Sequence, residues 1–215
     1  YELDTVLTSL GISSFNATFL SEAEYKLASQ AIVFARQFHV SIDEIATWWA
    51  DIREVQYTNY NTEYQDALPS FYDNLFKSKL DKNPSDEAFD HSNLSSEKYE
   101  DHIPAIVAAA GIKEDELRLL TGADMLNIPL TNTMSLSGLS SILREAMAAR
   151  ILGVSVNELV RIYQLKNIDL TPTVPLTLGA RQELLEELSA FVTTLSSSRF
   201  SLSEWEYLIK NDDTN

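Results

Sequence analysis

"HVSIDEI" at residues 39–45 and "GVSVNEL" at residues 153–159 are nearly one heptapeptide written twice. Both read as a junction between two helices. Ser41 fits the N-cap of a helix, because its hydroxyl accepts a backbone N–H that lacks a partner inside the helix. Glu44 stands three residues on and reaches back to the Ser41 N–H, completing a capping box. Val40 and Ile45 bracket the box as a hydrophobic staple. His39 sits where the preceding helix must stop, a place that calls for positive φ, and histidine visits that region more readily than most residues with a Cβ. In the second copy Gly153 is the left-handed stop, Ser155 and Glu158 form the box, and Val154 and Leu159 form the staple.

The flanks fit the same plan. Leu20, Ala23, Leu27, Ala31, Phe34 and Phe38 recur at three- and four-residue steps and predict a helix ahead of the first junction. Leu139, Ile142, Leu143, Ala146 and Met147 do so ahead of the second, where Ala149-Arg150 matches Ala35-Arg36. Two fainter copies follow. "GIKEDEL" (111–117) keeps the stop Gly111, the pair Ile112 and Leu117, and Glu116, but Lys113 replaces the capping serine, so this start is less well fixed. "RFSLSEW" (199–205) keeps Ser201, Glu204 and the pair Phe200 and Trp205 without the glycine. Leu184, Leu188, Phe191, Val192 and Leu195 predict a helix before it.

The capping positions fall at 41, 113, 155 and 201. The last two gaps match the length of a two-helix repeat, and the first is longer by roughly thirty residues. The fold class that follows is all-α: an irregular array of helical hairpins at about 15–52, 103–121, 136–168 and 176–211, with a loop-rich insertion at about 53–102.

Composition agrees with that reading. Apolar and aromatic residues make up 45% of the 215 positions, enough for a sizeable core. There are six Gly, six Pro and no Cys, which leaves no disulfide and no Cys-based zinc site. The net charge of −16 repels phosphate backbones and anionic lipid headgroups, so nucleic acid is excluded as a partner. The longest apolar run, "IPAIVAAAG" (103–111), is too short to cross a bilayer, so direct membrane insertion is not expected. The first residue is Tyr1 and the last five are "NDDTN"; the chain reads as a piece of a longer one.

Chemistry-bearing motifs are sparse. No P-loop, GxGxxG, GxSxG or HExxH pattern is present. His91 and His102 lie near Asp90, Glu100 and Asp101, a loose set from which a metal-dependent hydrolase site would have to be built. Tyr57, Tyr60 and Tyr64 are spaced as on one helical face of the insertion and form a possible contact surface. Trp48 aligns with Ile162 and Trp49 with Tyr163, so at least one belongs to the core. No catalytic, cofactor-binding or metal-binding residues are assigned. The serines, glutamates and glycines of the four junctions are structural helix caps.

Four stretches carry a family resemblance. They are "FYDNLFKSKL" (71–80), "AGIKEDELRLL" (110–120), "LSGLSSILREAMAARILGVSVNELVRIYQLKNIDL" (136–170) and "LTLGARQELLEELSAFVTTLSSSRFSLSEWEYLI" (176–209). In order and spacing they resemble the large A component of bacterial insecticidal Tc (ABC) toxin complexes. Residues 15–52 fit as a degenerate copy, with Phe38-His39 in place of Leu-Gly. The resemblance implies a segment of the α-helical shell of a homopentamer that surrounds a translocation channel. Other domains of such a chain bind host receptors, and the channel delivers the enzyme held by the B and C components. It implies a secreted or cell-surface location, no cofactor, and no catalysis by this segment. The rival reading is a helical binding module that recognises a host protein or glycan through the Tyr-rich insertion.

Overall fold

The computed structural model describes residues 2–12, 21–54, 56–58, 67–77, 86–89, 94–169 and 177–212. Among them are ten α-helices: α1 (Glu2–Ser9), α2 (Glu22–Gln37), α3 (Ile42–Ala46), α4 (Phe71–Phe76), α5 (Ile103–Ala110), α6 (Glu114–Thr121), α7 (Leu136–Leu152), α8 (Val156–Lys166), α9 (Leu178–Ser197) and α10 (Leu202–Asp212). Extended pairing among the described residues is a two-residue antiparallel ladder, β1 (Tyr57–Thr58) on β2 (Ala67–Leu68), and one bridge between Lys98 and Thr133. The fold is all-α.

Helix starts obey one rule more often than the sequence pattern suggests. Besides the expected junctions, Ser21 with Glu24 boxes the start of α2, and Ser70 with Asp73 boxes α4. Ser135 caps α7 and Thr177 caps α9 through their side-chain oxygens. Helix stops use the left-handed region at His39 (φ 54°), Gly111 (67°), Gly153 (67°) and Asn167 (53°). The α9–α10 turn differs, because Ser198 leaves α9 in an extended conformation.

The helices pack round two apolar cores. The first gathers α1, α2, α3, α8, α9 and the end of α7, around Phe34, Ile45, Trp48, Leu159, Ile162 and Leu185. The second gathers α5, the start of α7 and the described part of the insertion, around Tyr72, Phe76, Phe89, Tyr99, Ile106 and Ile142. Helix α7 joins them. Leu139, Ile142 and Leu143 face the second core, and Met147, Ala148 and Ala149 face the first. Nine of its seventeen residues are buried, as expected for a central helix that is covered nearly all round.

One sequence expectation needs correction. The stripe on α2 is displaced: Ala28, Ala31, Phe34 and Ala35 are buried, whereas Ala23 is exposed and Leu27 is 39% exposed. Leu20 lies outside the described residues. The small side chains let α1 and α3 approach closely, and Phe34 and Trp48 fill the gap edge to face with centroids 6.5 Å apart. The described part of the insertion holds one short helix, α4, and three short 3-10 turns, and it contributes to the second core. Phe76 and Phe89 stack with ring centroids 4.4 Å apart, and the buried Tyr72 hydroxyl donates to the Phe89 carbonyl at 2.9 Å.

Candidate functional site

Each repeated junction resolves into atoms. The Ser41 hydroxyl accepts the Glu44 N–H at 3.2 Å, and a Glu44 carboxylate oxygen accepts the Ser41 N–H at 2.8 Å. Ser155 and Glu158 repeat this at 3.2 and 2.8 Å, and Ser201 and Glu204 at 3.3 and 2.6 Å. At the fourth junction the Glu116 carboxylate accepts the Lys113 N–H at 2.9 Å. The return bond is missing there, because an ammonium has no lone pair with which to accept one. Lys113→Ser supplies that acceptor, and the variant is expected to gain about 0.5–1 kcal/mol, read as a higher urea midpoint at unchanged slope.

The capping glutamates also tie helices together. The second carboxylate oxygen of Glu44 holds Arg150 at the end of α7, so one side chain caps α3 and anchors its neighbour. Burial works against charge on Glu44, but the Ser41 N–H and Arg150 outweigh it and hold the carboxyl below its usual range. Arg161 of α8 makes a paired contact with Glu206 of α10 at 2.9 and 2.6 Å and also donates to Ser203 at 2.8 Å. The staples differ in quality. Ile45, Leu117 and Leu159 are fully buried, whereas Phe200 is 52% exposed and Trp205 turns edge-on to Phe191. Trp48 is core and donates to the Met147 sulfur at 3.2 Å, while Trp49 is part-buried and donates to the Ser9 hydroxyl at 3.0 Å.

The histidine set does not assemble as its sequence neighbours suggest. His102 pairs with Asp86 at 2.6 Å and reaches Glu97 at 3.5 Å, rather than Glu100 or Asp101. His91 and Asp90 lie outside the described residues. Partial burial works to lower the His102 pKa, but the hydrogen bonds and charges of Asp86 and then Glu97 raise it above 6.5. Stabilisation by the charged imidazole is therefore complete below pH 6.5 and is lost as pH rises through the higher folded value. His102→Gln is expected to cost up to about 1 kcal/mol at pH 5.5 and progressively less at alkaline pH, read from paired thermal melts.

Of the three tyrosines, Tyr57 has extended backbone in β1 paired with Leu68, not helical backbone. Tyr60 and Tyr64 lie outside the described residues.

Sequence reading missed a buried polar cluster between α7 and α9. Glu145 is 2% exposed and Arg181 is 5% exposed. Tyr163 donates to Glu145 at 2.7 Å, and an Arg181 terminal nitrogen lies 3.7 Å from the other Glu145 oxygen. Burial, then the Glu145 charge, pushes the Tyr163 hydroxyl pKa well up, so it remains a donor. Next to them, Arg144 donates to the carbonyls of Thr47 at 2.7 Å and Ala50 at 3.3 Å, closing the end of α3. Burial and the nearby Arg181 charge push Arg144 down to about 10. The available signal was a carboxylate inside an apolar stripe: Glu145 sits three residues after Ile142 and four before Ala149.

Fold and polar sites together define an all-α array of paired helices whose charged groups brace one helix against another. Among the described residues no group of three or more His, Asp and Glu could hold a metal ion, and no helix is long and apolar enough to cross a membrane. No family model and no curated protein matches this chain. Its fold is similar to part of TcdA4 from Morganella morganii, determined by cryo-EM, with a TM-score of 0.60 across 93% of this chain. Sequence identity is 15%, so the likeness is one of fold, and the chain spans 8% of the length of TcdA4.

Proposed function

We propose that this chain is a non-catalytic wall segment of the α-helical shell of a Tc toxin A component, TcdA4 being one such component. The observation that carries the reading is the TcdA4-like fold across 93% of the chain. The four stretches between residues 71 and 209 resemble the same family. The hairpins at 15–52, 103–121, 136–168 and 176–211 are then diverged copies of one unit, interrupted by the insertion at 53–102.

The work of such a segment is mechanical. Two cores share one buried helix, and Arg144, Arg150 and Arg161 each bind an element distant in sequence. A wall built this way resists shear between hairpins. Its partners are neighbouring parts of the same long chain and the other copies of a homopentamer, with the B and C components engaged elsewhere on the assembly. Host receptors belong to other domains. The setting is secretion or the bacterial surface, with virulence toward insects as the family role. Phe200, Tyr207 and Leu208, which are 52%, 70% and 49% exposed, offer an apolar face to a neighbouring element.

Native mass spectrometry of the full-length polypeptide tests the reading. A fivefold assembly of a chain several times longer than 215 residues supports it, and a stable monomer overturns it.

A further inference from the structure

The Glu145 cluster opens on one side into a cavity of about 340 Å³. Its lining includes Asn127, Ser137, Gly138, Ser141, Arg144 and Arg181. Ser137, Ser141 and Arg144 follow one another along one face of α7, and Arg181 projects from the second turn of α9. Two guanidiniums therefore share a wall with one carboxylate, Glu145, which is already engaged by the Tyr163 hydroxyl. The Arg181 Nε is buried and has no hydrogen-bond partner among the described residues. Arg144 spends its assigned donors on two backbone carbonyls and forms no ion pair within 4 Å among the described residues. The first turn of α7 borders the same cavity through Ser137 and Gly138 and adds roughly half a positive charge, although the Gly138 N–H is already taken by the Ser135 hydroxyl at 3.1 Å.

A buried donor left unpaired is costly, and more so on a charged group. Here two guanidiniums stand together, Arg181 beside Glu145 and Arg144 within the field of Glu145 and Asp51, and one buried guanidinium nitrogen keeps no hydrogen-bond partner among the described residues. Several donors converge, which suits a ligand with several acceptor oxygens on one centre. The volume exceeds that of a bare ion and leaves room for an attached organic group, within the range of small-molecule sites.

We infer that this cavity is a binding site for a phosphoryl anion, inorganic phosphate or a phosphomonoester, held by Arg144, Arg181 and the first turn of α7. The site is independent of the wall-segment reading, since it needs only this chain. Arg181 and Arg144 both line the cavity, and a planar guanidinium fork matches phosphate oxygens. Bound anion bridges Arg144 of α7 and Arg181 of α9 and so fixes the separation of the two helices.

Isothermal titration calorimetry of the 215-residue chain with inorganic phosphate tests this, at ionic strength held constant with sodium chloride. One saturable site is expected. Arg181→Gln, which keeps a donor near Glu145, weakens it at least tenfold, and Arg118→Gln, on the exposed face of α6, leaves it unchanged. Ser141→Glu places a carboxylate inside the cavity and abolishes the phosphate heat. This variant fills the site rather than removing a buried group, so it remains informative where Arg181→Gln unfolds. Glycerol phosphate binds at least as well as phosphate, and acetate binds at least tenfold more weakly. Absence of a saturable heat, equal binding by Arg181→Gln and Ser141→Glu, or acetate matching phosphate would each overturn the assignment.

Discussion

Glu145→Ala is expected to lower the unfolding free energy by about 3–5 kcal/mol, the cost of removing one partner from a buried charged pair. The carboxylate is 2% exposed and stands between the Tyr163 hydroxyl at 2.7 Å and the Arg181 guanidinium at 3.7 Å. Its loss leaves a buried cation without an opposite charge and a buried hydroxyl without an acceptor. Tyr163→Phe removes only the hydroxyl and costs about 1 kcal/mol. Urea unfolding at constant slope separates the two variants. Equal, small losses would mean that the cluster is hydrated rather than buried. The pair is a positioning device more than a source of stability, because an apolar pair of similar volume often does as well. It sets α7 against α9.

The second large effect belongs to the insertion. Phe89 is fully buried, stacks on Phe76 with an interplanar angle of 4°, and meets the His102 ring edge-on at 5.9 Å. Phe89→Ala is expected to cost about 3–5 kcal/mol through lost apolar burial and the cavity left behind. A peripheral loop would respond differently. Tyr25→Ala, at a site 64% exposed on α2, is the matched control and is expected to change stability by less than about 0.5 kcal/mol. Loss at Phe89 as small as at Tyr25 would mean that the insertion does not share in the core.

Local grammar in the sequence was sufficient for the helical junctions. A serine with a glutamate three residues on, flanked by apolar residues, specifies its own geometry within seven positions, so distant contacts could not override it. The same grammar stands at Ser21 with Glu24 and, with aspartate in place of glutamate, at Ser70 with Asp73. On α2 the stripe through Ala23 and Leu27 and the stripe through Ala28 and Ala35 share Ala31 and Phe34, and close helix packing selects the second. The second core was illegible for a different reason. Phe89, Leu94 and Tyr99 enter it from short 3-10 turns, which carry no 3.6-residue period.

Gly138 shows the same limit. A Cβ there would lie 1.9 Å from the Tyr99 hydroxyl, so the glycine is required by a side chain 39 positions earlier. Pairings such as Arg144 with Thr47, Arg150 with Glu44 and Arg181 with Glu145 likewise depend on topology. A charged residue on a helix gives no local sign of which distant element it will meet.

A cryo-EM map of the intact polypeptide that contains this chain tests the account most directly. The account predicts helices α1 to α10 within the outer wall of a five-membered ring, with α7 buried and the Phe200, Tyr207 and Leu208 face covered by a neighbouring element. A map in which this piece projects into solvent, unattached to any ring and with that face bare, would contradict it.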